Sequence, residues 1–246
     1  MTIQSKTEIF EFSNGVRVYA SDLLAEQRTR YSELGSAPLH EPVEEYWLRT
    51  TLESIPSKAP VFVDLGSALG YYSVLVKKIS PKFRVISVDP NPFFHKRHAE
   101  TVKLNGLAEG DIELVKKAVY SRAGHVSLAD KNFGSFVCDK FQNDGEGINV
   151  IEVESVTIEE LVEAVSGHID FMKMDIQGAE LDVFRSVDVQ EMSNNVSNII
   201  IGTHGKVLHD EILKLLSTGY RIAFEDHCPE HQPDGIIVAH SRRRRY

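Results

Sequence analysis

The stretch VFVDLGSALGYYSVLVKKI, residues 61–79, decides the fold of this chain. It opens with VFVDL (61–65), a mostly apolar run of the kind found in a strand that is buried on both faces of a parallel sheet. GSALG (66–70) follows as a tight loop, because its two glycines let the backbone turn sharply, and YYSVLVKKI (71–79) has the pattern of a helix. A buried strand, a glycine loop and a helix in this order predict the first unit of an α/β sheet.

The same alternation of strands and helices continues along the rest of the chain. Further strands are predicted at 84–89, 111–115, 169–175, 198–204, 220–225 and 235–240. Helices are predicted to begin at Asn91-Pro92 and near Val207. The link between the last two strands is so short that both cannot be parallel neighbours, so one of them is expected to be antiparallel. The chain is therefore predicted to form a mostly parallel sheet with helices on both faces.

The N-terminal part has a different pattern. Alternating β-forming residues flank Ser13-Asn14-Gly15, which predicts a β-hairpin because Asn and Gly tolerate the positive φ that such turns need. After a polar stretch, Pro42 is expected in the first turn of a helix. The predicted organisation is an N-terminal extension of hairpin and helix, residues 1–58, on the lid or substrate side of a main domain, residues 59–246.

The composition argues against several classes of function. The net charge of the 246 residues is −9, so nucleic acid is not an expected partner, since phosphate binding relies on a basic surface. The run Arg242 to Arg245 is expected to be a solvated tail. Cys138 and Cys228 form no CxxC pattern, so neither a disulfide framework nor a cysteine zinc site is expected. We see no signal peptide and no membrane-spanning segment, and the expected location is the cytoplasm.

Two features at the ends of the first two strands indicate a nucleotide-like cofactor. The loop that starts at Gly66 does not fit the dinucleotide pattern G-x-G-x-x-G, since Ala68 and Tyr71 stand at its second and third glycine positions. It suits the amino-acid tail of a cofactor better than a pyrophosphate. Asp89 ends the next strand, where a carboxylate can accept both hydroxyls of a ribose. A nicotinamide-dependent oxidoreductase is the weaker alternative, because no Tyr-x-x-x-Lys pair is present either.

The motifs VFVDLGSALGYYS, VISVDPNP and IDFMKMDIQGAELDVF together resemble class I S-adenosylmethionine-dependent methyltransferases, and within them the FkbM family. The segment Val-Thr-Ile-Glu-Glu-Leu and the position of Asn105 also match. The resemblance covers about residues 60–240, and its most specific element is the stretch from Lys173 to Glu180. Gln177 departs from the pattern, since the family usually carries Glu there.

The resemblance implies a Rossmann-like methyltransferase fold with a seven-stranded sheet, one strand of which is antiparallel, and S-adenosylmethionine over the carboxyl ends of the first strands. It implies that Gly66 and Ser67 hold the methionine part, that Asp89 holds the ribose, and that Ala118 or Val119 borders the adenine. The predicted cofactor-binding set is completed by Asp64, Gly70, Tyr72, Pro90 and Asp175. The family's characterised enzymes imply O-methylation of a sugar, polyketide or similar small molecule. The alternative is a methyltransferase-like fold that acts as a non-catalytic binding protein.

A catalytic group is expected at the ends of the later strands. The strands that end at Asp175 and His204 are predicted neighbours, so both side chains and Glu180 can reach one cleft. Methyl transfer to a hydroxyl needs that oxygen deprotonated or hydrogen-bonded, and a positioned His or carboxylate can act as the base. A divalent metal held by Asp175 and His204 is the alternative role, and it is not the favoured one. Otherwise Asp175 faces the cofactor, Glu180 caps a helix and His204 ties a loop.

Two further groups are expected to shape the acceptor site. The first is His40, Glu41 and Tyr46 around the N-terminal helix, which would close over the substrate. The second is the variable stretch 121–150, where short strand pieces and loops are expected. Its candidate wall residues are Phe133, Ser135, Phe136 and Phe141.

Overall fold

The computed structural model describes residues 8–138 and 149–243. In chain order the strands are β1 Ile9–Glu11, β2 Arg17–Tyr19, β3 Val61–Leu65, β4 Arg84–Val88, β5 Ile112–Val115, β6 Ala118–Val119, β7 Gly124–Asp130, β8 Phe136–Cys138, β9 Asn149–Val156, β10 Phe171–Met174, β11 Asn198–Thr203, β12 Tyr220–Asp226 and β13 Gly235–Ser241. The helices are α1 Ala25–Glu33, α2 Pro42–Glu53, α3 Tyr71–Ile79, α4 Pro92–Leu104, α5 Ile158–Ala164, α6 Glu180–Ser186, α7 Val189–Asn195 and α8 Lys206–Leu216.

The main sheet has seven strands in the order β12-β13-β11-β10-β3-β4-β5. All neighbours from β11 to β5 are parallel, and β13 runs antiparallel to both β11 and β12. This confirms the predicted sheet with one antiparallel strand. The register pairs Leu65 with Met174 and with Val88, so the strands β10, β3 and β4 end side by side. The loops that follow them therefore meet at one edge.

Alternate residues of the central strands pack on opposite faces of this sheet. Val63 and Met172 belong to a core that also contains residues of α5, α6 and α8. Phe62 and Phe171 point the other way, into a core shared with α2, α3 and the N-terminal hairpin. Phe12 of the hairpin is a buried member of this second core. The extension is thus packed against the main sheet through apolar side chains.

The sequence predicted neither two of the helices nor how the short strand pieces expected around residues 121–150 would pair. These strands form a second sheet, in the order β6-β9-β7-β8. The helix α1 fills the polar stretch, with Tyr31 as its buried residue. The helix α7 lies between α6 and β11. Phe141 lies outside the described residues.

No helix in the described part of the chain is long and apolar enough to cross a membrane.

Candidate active site

A cavity of about 890 Å³ opens at the carboxyl edge of the main sheet. Its floor contains Gly66, Asp89 and Asp175, which follow β3, β4 and β10. The N-terminal extension covers it through α1 and His40, and the connection between β12 and β13 adds another wall. Its size and its place at the strand ends are those of a small-molecule site in an open α/β sheet.

The two glycines of the loop after β3 are required for different reasons, because a side chain at each would meet a different neighbour. Gly66 has φ +77°, and a Cβ there would lie 1.7 Å from the carbonyl oxygen of Asp175, so the backbones of two neighbouring strand ends approach each other. Gly70 has φ +79°, and a Cβ there would lie 2.6 Å from the ring of His98. Gly66 lines the cavity. Gly70 is not among the residues that line it; this glycine precedes α3 and makes room for the ring of His98 in α4.

The loop after β3 and the end of β4 carry polar atoms that a ligand can satisfy. The Ser67 hydroxyl oxygen is buried, and no residue in the described part of the chain forms a hydrogen bond with it. Asp89 accepts hydrogen bonds from the backbone N–H of Ala68 at 2.9 Å and of Asn91 at 2.8 Å, which fixes its carboxylate at the floor of the cavity. Burial raises the pKa of Asp89 to about 6, and the two N–H donors oppose this.

Asp64 also lines the cavity, but its hydrogen bonds point to α3. One carboxylate oxygen accepts from the Ser73 hydroxyl at 2.6 Å and from the Ser73 N–H at 3.1 Å. Burial raises the pKa of Asp64, although the nearby Lys173 lowers it. Asp64 therefore holds the strand and helix around the glycine loop together.

Ala118, Val119 and Pro90 line the cavity beside Asp89, where the sequence placed the adenine. Phe133 and Ser135, assigned to the acceptor, lie at this same end. Ser135 accepts from the Asn91 amide at 2.9 Å, and the Phe133 ring centroid is 4.7 Å from that of Phe94. The structure therefore brings Phe133 and Ser135 to the Asp89 side of the cavity.

Of the three residues predicted around the N-terminal helix, two reach the cavity. The His40 ring contacts the Tyr31 hydroxyl, and Glu41 accepts a hydrogen bond of 2.7 Å from the Tyr72 hydroxyl. Tyr46 is 63% exposed and is not among the residues that line the cavity, so the structure does not bring it to the site with His40 and Glu41. Its neighbours Glu44 and Glu45 occupy the buried face of α2, and the helical period turns Tyr46 away from it.

The sequence did not indicate a buried ion pair beneath the cavity. Lys173 of β10 and Glu44 of α2 are both buried, with 3.1 Å between Nζ and Oε1. Burial alone would lower the pKa of Lys173, but the carboxylates of Glu44 and Asp175 outweigh it and hold that pKa above its usual value. Lys173 also lies over the Tyr72 ring, 4.5 Å from its centroid. A charged residue inside an apolar strand was the available signal, because such a residue needs a partner.

Asp175, Glu180 and His204 meet at the next strand ends. Because β10 and β11 are parallel neighbours, the residues that follow them come together, as predicted. His204 Nδ1 lies 3.3 Å from a Glu180 oxygen, and Nε2 lies 3.5 Å from oxygens of Asp175 and of Asp234. Burial lowers the pKa of His204, but the carboxylates of Glu180, Asp175 and Asp234 prevail and raise it to about 9. His204 therefore carries a proton at neutral pH, and as it stands it is a cation and a poor base.

Comparison with known proteins gives matches to methyltransferases. A sequence profile described as the methyltransferase FkbM domain matches residues 64–222, more than half of the chain. Among solved structures, the METTL16 methyltransferase domain has a TM-score of 0.50 and 12% identity over 80% of this chain and 65% of that chain. The ribosomal protein L11 methylase of Lactobacillus delbrueckii subsp. bulgaricus has a TM-score of 0.49 and 13% identity over 80% and 77%. TrmK of M. capricolum, solved with S-adenosyl-homocysteine, has a TM-score of 0.44 and 14% identity over 79% and 67%.

A search of curated protein sequences gave no match. At the identities found, the similarity to solved structures concerns the fold alone.

Proposed function

The chain belongs to the FkbM family of S-adenosylmethionine-dependent methyltransferases, and from this premise we propose that it methylates a hydroxyl oxygen of a small molecule. S-adenosylmethionine supplies an electrophilic methyl group on a sulfonium. The proposal concerns what the residues of this chain do around that group and which acceptor they select.

The floor of the cavity fits the cofactor. The unpartnered hydroxyl of Ser67 is an orphaned buried polar atom in the loop that would hold the methionine part. The fixed carboxylate of Asp89 has lone pairs left for two ribose hydroxyls after accepting its two backbone hydrogen bonds. Ala118 and Val119 offer an apolar border for the adenine. We therefore assign this half of the cavity to the cofactor.

We infer the class of the methyl acceptor from a group of atoms on the opposite wall of the cavity that accept hydrogen bonds. The Gln232 amide oxygen is buried and has no hydrogen-bond partner among the described residues. Gln232 lines the cavity together with Asp175 and Asp234. The Gln232 oxygen requires a donor from a ligand, because a buried acceptor without a partner costs about 1–3 kcal/mol. Hydroxyl groups are donors that can also lose their proton. A small polyhydroxylated molecule fits this wall better than a polyanion such as nucleic acid.

Asp175 would receive the acceptor hydroxyl. It follows β10 directly, lies against Gly66 of the cofactor loop, and lines the same cavity. Its carboxylate can accept the hydrogen of the hydroxyl group and so orient the oxygen for in-line attack. Glu180 and His204 fix this end of the site from the neighbouring strand and helix.

The experiment is a methyl-transfer assay with radiolabelled S-adenosylmethionine against sugars, polyketides and matched amines, with the product's methyl position assigned by NMR. We expect label on a hydroxyl oxygen and lower turnover for Asp175→Asn, with S-adenosylhomocysteine binding kept. Asp226→Asn serves as the matched control, because Asp226 ends β12 outside the cavity wall. Transfer to nitrogen alone, or to nucleic acid alone, would contradict the proposed acceptor.

A further inference from the structure

Asp175, Glu180 and His204 each offer one ligand atom, and these three atoms lie within 4.8 Å of one another. We propose that they bind a divalent transition-metal ion. This number of side-chain ligands leaves positions open on the ion, as in catalytic metal sites. The three residues come from the end of β10, the start of α6 and the end of β11, so the main sheet holds the group in place.

The hydrogen bonds of Glu180 point independently to a missing cation. Glu180 is fully buried, and its Oε1 accepts a hydrogen bond of 2.9 Å from the backbone N–H of Ile176. Its Oε2 has no hydrogen-bond partner among residues 8–138 and 149–243. A buried carboxylate with an unsatisfied oxygen is costly unless a cation balances it. His204 Nδ1 lies 3.3 Å from Glu180 Oε1, and within the described part of the chain neither ring nitrogen makes a hydrogen bond.

Lys173 does not supply the cation for this group of carboxylates. It lies 3.7 Å from Asp175 Oδ2, but its closer partner is Glu44 at 3.1 Å. The other oxygen, Asp175 Oδ1, faces His204 and accepts from the Gln177 amide at 3.0 Å. A metal ion bound through Oδ1 would therefore compete with the Gln177 amide, whereas the ion pair of Lys173 and Glu44 does not involve this oxygen.

The donor set selects the kind of metal. Two carboxylates and an imidazole suit Mn²⁺, Fe²⁺, Co²⁺ or Zn²⁺, whereas Mg²⁺ and Ca²⁺ prefer oxygen ligands alone. A metal-bound histidine usually donates its other ring N–H to a carboxylate, which orients the ring. His204 meets this condition when Nδ1 binds the ion, because Nε2 then faces Asp234, a carboxylate outside the proposed ligand set, at 3.5 Å.

The consequence for the reaction rests on the proposed function. A hydroxyl bound beside the ion loses its proton to solvent more readily, because the cation stabilises the alkoxide. That oxygen then forms the C–O bond while the C–S bond of the cofactor breaks and leaves its electron pair on sulfur.

The test titrates EDTA-treated protein with Mn²⁺ alone and follows free Mn²⁺ by electron paramagnetic resonance, without cofactor or acceptor. We expect saturation at about one ion per chain. Glu180→Gln and His204→Gln should each weaken binding at least about tenfold, since the first removes the negative charge of a ligand and the second removes the imidazole. Glu225→Gln is the matched control, because Glu225 and His209 form a His–carboxylate pair with 3.1 Å between them but no third ligand.

Asp175→Asn is a further ligand variant in case Glu180→Gln does not fold, and circular dichroism with S-adenosylhomocysteine binding checks each variant. The absence of saturable Mn²⁺ binding, or binding that is equal in wild type and in all folded ligand variants, would overturn the metal site. Mn²⁺ binding without any hydroxyl methylation would instead overturn the proposed function, while the metal site would stand. The two failures are therefore distinguishable.

Discussion

Gly66 shows how one residue can fix the distance between two strand ends. Its φ of +77° already disfavours a side chain, and the carbonyl of Asp175 occupies the place of its Cβ. Gly106 has nearly the same φ, +76°, but nothing lies within 4 Å of its Cβ position. The two glycines thus differ in surroundings and not in backbone conformation.

We expect Gly66→Ala to destabilise the protein by about 3 kcal/mol or more, and Gly106→Ala by about 1 kcal/mol. The difference in destabilisation arises because only the methyl group introduced at Gly66 must push β3 and β10 apart. Urea unfolding of the two variants measures it, and S-adenosylhomocysteine binding should fall in Gly66→Ala alone. Equal destabilisation would show that the close approach to Asp175 does not matter.

Asp89 makes cofactor affinity depend on pH. With its pKa raised to about 6, the side chain is ionised at neutral pH and becomes protonated as the pH falls through 6. The ionised form accepts ribose hydroxyls best, so the affinity for S-adenosylhomocysteine should fall below pH 6, by up to about tenfold per pH unit. Calorimetry between pH 5 and 8 measures this. Asp89→Asn should bind weakly with no such pH dependence, and an unchanged slope in the variant would assign it to another group.

At the scale of elements, the pair of Lys173 and Glu44 joins α2 to the middle of the main sheet. Removing one partner of a buried ion pair leaves the other charge without compensation. We expect Lys173→Met to lower the free energy of unfolding by about 3 kcal/mol, and the double variant Lys173→Met with Glu44→Met to recover most of the loss. A double-mutant cycle from urea unfolding gives the coupling. If the double variant is as unstable as Lys173→Met, the two charges are not coupled.

The elements that the sequence predicted are those with a recognisable local pattern of apolar residues. Residues 61–65 and 235–240 are apolar runs, and the adjacency of Asp175 and His204 follows because parallel strands end together. The helix α1 has no such pattern, since it exposes most of its side chains. Glu44 and Lys173 were missed because their contact joins distant parts of the chain, and no local period reveals it.

At the scale of the whole molecule, the N-terminal extension shares a core with the main domain. Phe12, Tyr31 and Leu48 pack in the same cluster as Phe62 and Tyr71. Each large apolar side chain that becomes exposed when the extension is removed lowers the free energy of unfolding by roughly 1.5–3 kcal/mol. The boundary near residue 58 therefore does not separate two independent cores.

We expect a fragment of residues 59–246 to aggregate or to remain partly folded, and to bind S-adenosylhomocysteine weakly. Size-exclusion chromatography and calorimetry on the fragment and on the full chain measure this. Adding the peptide 1–58 in excess should restore part of the binding, because the missing apolar surface is then covered. A monomeric fragment that binds as well as the full chain would contradict the prediction.

The position of β13 imposes an order on the local opening of the sheet. Among the described strands, β12 pairs with β13 alone, whereas β13 also pairs with β11. Any fluctuation that frees β13 leaves β12 without its ladder, but β12 can detach while β13 stays in place. In amide hydrogen exchange, protection along β12 cannot exceed that along β13. The connection between β12 and β13 forms the outer rim of the cavity. This rim can thus open locally while β3 and β10, which precede Gly66 and Asp175, remain hydrogen-bonded in the sheet.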